Sequence, residues 1–148
     1  MSALERSLRA VTQDVLLMLT PIVVNVILFS YKEQIGRFLI LTPDNVSPLS
    51  MYFTNFVHSS LPHLLNNLII YTLLVSVSYV LYSCFKLRLV FVYSFTTSLL
   101  VIPFLSSLGS LAFLPVRRIL GFSSVACGLI GIYAFFIHLY TCLHLLGG

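Results

Sequence analysis

Charge is the scarcest property of this sequence. Asp, Glu, Lys and Arg make up 8% of it, against about 25% in soluble globular domains. A chain so poor in charge cannot cover a solvated surface, and with 59% hydrophobic residues and a mean hydropathy of +1.04 it reads as an integral membrane protein. Tryptophan is absent, so any aromatic belt at the bilayer surface falls to the eight tyrosines. Cysteine is rare and unpatterned: Cys84, Cys127 and Cys142 form no C-x-x-C, which argues against a disulfide frame or a thiolate metal site. No metal, nucleotide or haem signature occurs, and no cofactor is expected. The net charge of +4 is scattered in pairs, which suits anionic lipid headgroups and not nucleic acid.

What is present is a series of uncharged tracts. Residues 15–31, the tract ending at Phe85, residues 89–116 and residues 119–148 each lack Lys, Arg, Asp and Glu. A helix needs roughly 20 apolar residues to cross a bilayer, so the chain is expected to be one all-α membrane domain over 1–148 with four spans. Residues 1–14 mix both charge signs with Leu4 and Leu8, and Ser2 and Glu5 have capping-box spacing; a short interfacial helix is expected there. Pro21 and Asn25 interrupt the first tract, and Asn25 is expected to need a partner on another helix. Residues 32–57 combine charges with the apolar run at 38–41, as in a loop lying in the headgroup layer. In the third tract, Pro103 and Gly109 predict a helix that ends early and an irregular segment that dips back. Lysine and arginine counts balance across the two sides and give no orientation.

Two polar constellations stand out against this apolar background. His58-x4-His63-x3-Asn67 opens the second span; His63 and Asn67, four apart, lie on one helix face, where they serve either as helix-packing glue or as a site. Gly121, Ser124, Gly128 and Gly131 form a small-residue seam at spacings of three and four, which lets another helix approach closely in lipid. Ser123 lies beside that seam, and a serine there also suits bonding to a carbonyl one turn back. The second and fourth spans cross the membrane in the same direction, so His63 and Ser123, each a few residues inside its span, sit near the same face. Asn67 is one turn deeper.

Taken together, the two signatures resemble those of the rhomboid family of intramembrane serine proteases, of an archaeal type. The first is similar to the family's H-x3-N oxyanion region with its upstream histidine. The second, Gly121-Phe-Ser123-Ser-x3-Gly128-Leu-Ile-Gly131, is similar to G-x-S-G-x3-G-L-x-G. The resemblance implies a multi-pass protein of the cell membrane that hydrolyses peptide bonds in or near transmembrane segments. It further implies Ser123 as nucleophile, His63 and Asn67 as oxyanion stabilisers, and residues 52–67 as the loop running down into the second helix. The implied partners are the lipid bilayer and transmembrane-helix substrates.

The sequence departs from that pattern at three places. Ser124 stands where the family has glycine, and Ser50-Met51 stands where it commonly has Trp-Arg. The family's general base is a histidine on a sixth span, within G-x3-A-H, and residues 1–148 hold no counterpart of it. His138 lies ~22 Å from Ser123 along one helix and His144 farther, beyond the ~3 Å of a hydrogen bond. The chain alone is therefore expected to be inactive, with its seam open to self-association. The alternative is a rhomboid-like protein that binds transmembrane helices without cutting them.

Overall fold

The computed structural model describes residues 3–113, 125–131, 133–134, 138 and 140. Ser2, Gly121, Ser123, Ser124, Cys142 and His144, singled out above, lie outside the described residues. The described chain is all-helical, without a strand, and three of its helices are long and apolar enough to cross a membrane.

Helix α1 spans Ala3–Ser30 without a break, so the residues before 15 continue the helix of the first tract. Pro21 lies inside it and Asn25 is fully buried. The expected inter-helix partner for Asn25 is not found among the described residues: its Nδ2 donates to the carbonyl of Pro21 at 2.7 Å, one turn back in its own helix. In apolar surroundings the i−4 carbonyl is the nearest acceptor, and it needs no second polar helix. The Oδ1 of Asn25 has no partner among the described residues.

The connection 32–57 is folded, not extended. Helix α2 (Lys32–Leu39) ends where the Asn45 amide donates to the carbonyls of Arg37, Phe38 and Ile40, taking up the end's spare acceptors. Helix α3 (Pro48–Phe53) begins with a reciprocal cap between Ser47 and Ser50 and has Pro48 at its start. A single 3-10 turn over Thr54–Phe56 follows. Of the apolar run, Leu39 and Leu41 are buried while Phe38 is exposed.

Helix α4 (Leu61–Cys84) buries Leu64, Asn67, Tyr71, Val75, Ser78 and Tyr82, a stripe of period three to four. Leu65, Ile69, Leu73 and Val80 on its other faces are exposed, as lipid contact requires. Tyr71 ties α4 to α1 by donating to the carbonyl of Met18 at 2.7 Å. The helix closes with Lys86 in the left-handed region (φ 58°) and the Leu87 N–H on the Tyr82 carbonyl at 2.8 Å. That six-to-one bond turns the chain into the next helix.

Helix α5 spans Arg88–Phe113 and includes Pro103, correcting the expectation that the helix ends early. Proline at 103 removes the N–H that would have met the Leu99 carbonyl. The Tyr52 hydroxyl of α3 donates to that carbonyl instead, at 3.1 Å. One turn on, Asn55 Nδ2 donates to the Pro103 carbonyl (3.1 Å) and to Ser107 Oγ (3.2 Å), and Ser107 donates to the Met51 carbonyl. The segment at 51–55 thus supplies the polar partners that let α5 continue through its proline. At the opposite end of α5, Arg88 grips Asp14 of α1 with both carboxylate oxygens, at 2.6 and 2.7 Å. The N-terminal parts of α1 and α5 therefore share one side of the bundle, and α4 returns between them.

Residues 125–131 are helical, and Val125 and Leu129 join the core formed by Tyr71, Val75, Tyr82, Phe91 and Phe95. Half of the expected seam can be described. A Cβ placed on Gly128 would meet Ile102 Cγ1 of α5 at 2.8 Å, whereas one on Gly131 meets nothing within 4 Å. Gly128 is thus a close-approach position, and Gly131 lies on a face left open by the described residues. Gly128→Val is expected to destabilise by about 1–3 kcal/mol through overpacking. Gly131→Ala is expected to be tolerated, and unfolding in detergent with a helicity readout would separate the two.

A polar cluster at the head of the second spanning helix

Polar side chains collect where the chain enters α4. Ser60 caps the helix, its hydroxyl accepting from the His63 N–H at 3.4 Å, and Pro62 fills the first turn where an N–H is not needed. Lys32, at the start of α2, donates to the Ser59 carbonyl at 3.1 Å and holds this entry against the connecting segment. The entry turn folds His58 back over the helix it precedes. Its imidazole is fully buried.

His58 is bonded on both ring nitrogens. Nδ1 lies 3.2 Å from the Phe56 carbonyl, which only accepts, so Nδ1 carries the proton. Nε2 is then a lone pair, and the Asn67 amide donates to it at 3.0 Å. Burial, reinforced by His63 beside it and opposed by the bond to Phe56, lowers the His58 pKa from 6.5 to about 4. The ring is neutral at ordinary pH, and its basic nitrogen is occupied. That makes it an orienting group and not a proton acceptor.

His63 and Asn67 occupy the same helix face, as their spacing requires, but the Asn67 hydrogen bond goes to His58. The His63 ring meets the edge of the His58 ring, with centroids 5.1 Å apart. His63 is half-buried and Asn67 is 7% exposed. The structure therefore brings three of the sequence-selected residues, His58, His63 and Asn67, into one cluster. Among the described residues, the second N–H of Asn67 and the ring nitrogens of His63 have no hydrogen-bond partner. Periodicity could not foresee the His58–Asn67 bond, because the two belong to different local structures. The signals for it in the sequence were the His58-x4-His63-x3-Asn67 spacing and a histidine two residues before an N-cap serine. No family model, curated protein or solved structure matches the chain.

Proposed function

We propose that this chain forms part of a rhomboid-type intramembrane serine endopeptidase of the cell membrane, built on four spans, with Ser123 as nucleophile. Asn67 and His63 would stabilise the oxyanion that forms when Ser123 attacks a peptide carbonyl in or near a transmembrane segment. The observation that carries the reading is the His58–His63–Asn67 cluster at the head of a membrane-spanning helix. Packing alone does not call for three polar side chains there, since each is costly in lipid unless it has work to do. Preorganised donors in a low-dielectric site are what acyl transfer needs. The proton of Ser123 requires a base; His138 and His144 lie too far along its own helix, and the reading gives His63 to the oxyanion.

Membranes carrying the product of the complete coding sequence, treated with a fluorophosphonate probe, test this reading. Labelling that disappears in Ser123→Ala is the expected result, and the 148-residue chain alone is expected to remain unlabelled. A folded, complete protein that never labels at Ser123 would overturn the protease reading. The helix-binding alternative draws on the open face at Gly131, where a partner helix or a second copy of the chain can approach.

A further inference from the structure

The most constrained group in the cluster is a residue to which the proposed reaction gives no direct part. We propose that His58 is a positioning residue: by presenting an unprotonated Nε2 to Asn67, it fixes which way the carboxamide faces and so aims the second N–H of Asn67 at the reacting carbonyl. This inference rests on the protease reading for its consequence but on the hydrogen-bond pattern for its geometry.

An asparagine side chain can turn over, exchanging its oxygen and nitrogen, and only one of the two orientations offers donors in a given direction. The Phe56 carbonyl settles the matter two steps away. It accepts from Nδ1 at 3.2 Å, which assigns the ring proton to that side. Nε2 then accepts from Asn67 at 3.0 Å, and a reversed carboxamide would set its oxygen against a lone pair. The chain from Phe56 carbonyl to His58 to Asn67 amide therefore runs in one sense only. Burial strengthens the preference, since His58 is fully buried and Asn67 nearly so, and water does not compete for these bonds. The backbone holds the relay in place: Phe56 and His58 leave the 3-10 turn in extended geometry at Val57, and Ser60 starts the helix that carries Asn67. The His63 ring packs against the His58 ring in a T-shaped contact, with centroids 5.1 Å apart.

Two measurements on the complete protein test the inference. With histidine labelled by 15N, the NMR pattern of His58 near neutral pH is expected to be that of the Nδ1–H tautomer. The Nε2–H tautomer or a charged ring would overturn the proposal, whether or not the protein hydrolyses anything. In steady-state kinetics, His58→Phe is expected to lower kcat by ~10–100-fold with KM within about twofold, because a donor is misaimed while substrate binding is left intact. His58→Gln, which sets an amide oxygen near the place of Nε2, is expected to recover most of that loss. Equal losses in the two variants, or an unchanged kcat in His58→Phe, would overturn the positioning role. A parent protein without Ser123-dependent hydrolysis would instead remove the protease reading, and the tautomer would still decide whether His58 sets the Asn67 carboxamide.

Discussion

Replacing His63 by alanine in the complete protein is expected to slow turnover by ~10²–10³-fold, the usual cost of losing one oxyanion donor. The loss should fall on kcat and leave KM little changed, because the interaction is made as charge develops and not when substrate binds. Stability should hold. His63 is only half-buried, its ring touches His58 by an edge, and the capping bond it makes uses its backbone N–H, which alanine keeps. Asn67→Ala is a less clean experiment, since it also leaves the buried Nε2 of His58 without a donor. A His63→Ala protein with normal stability and unaltered turnover would reduce His63 to a packing group.

The second large effect concerns stability. Asp14 is 2% exposed and is held by two charge-assisted bonds from Arg88, which also donates to the Ala10 carbonyl at 3.2 Å. Arg88→Met is expected to cost of the order of 3 kcal/mol, because it strands a carboxylate in an apolar setting. The paired change Asp14→Leu with Arg88→Met is expected to lie much closer to the parent, since it removes the desolvation cost together with the attraction. Equilibrium unfolding in detergent or bilayers, analysed as a double-mutant cycle, reads this directly. If Arg88→Met and the double variant are equally stable, the unpaired Asp14 carboxylate carries no penalty, and the expected cost of stranding it is wrong.

Much of the architecture was legible because lipid imposes simple rules. Uncharged tracts mark α1, α4 and α5, and Pro62 marks the start of α4. The failures have a common cause. Pro103 reads locally as a helix breaker, yet Tyr52 and Asn55, some fifty residues away, supply the bonds that carry the helix past it. Asn25 reads as a demand for an inter-helix partner, yet its amide N–H goes to a carbonyl one turn back, and its Oδ1 has no partner among the described residues. Asn67 reads as sharing a face with His63, which it does, but the group that bonds to it is His58, delivered by the entry turn. Local pattern reports which face a residue occupies. It does not report which distant group reaches that face.

On the proposed reading, Ser123 meets the His63–Asn67 face at one depth in the membrane. Disulfide trapping tests it most directly. In a background with Cys84, Cys127 and Cys142 replaced, Ser123→Cys would be paired in turn with cysteine at His63, Asn67, Ile70 and Leu74. Disulfides form when Cβ atoms come within about 3.5–4.5 Å, so rapid trapping is expected at 63 or 67 and little at 70 or 74. Trapping confined to 74, or to neither end, would contradict it.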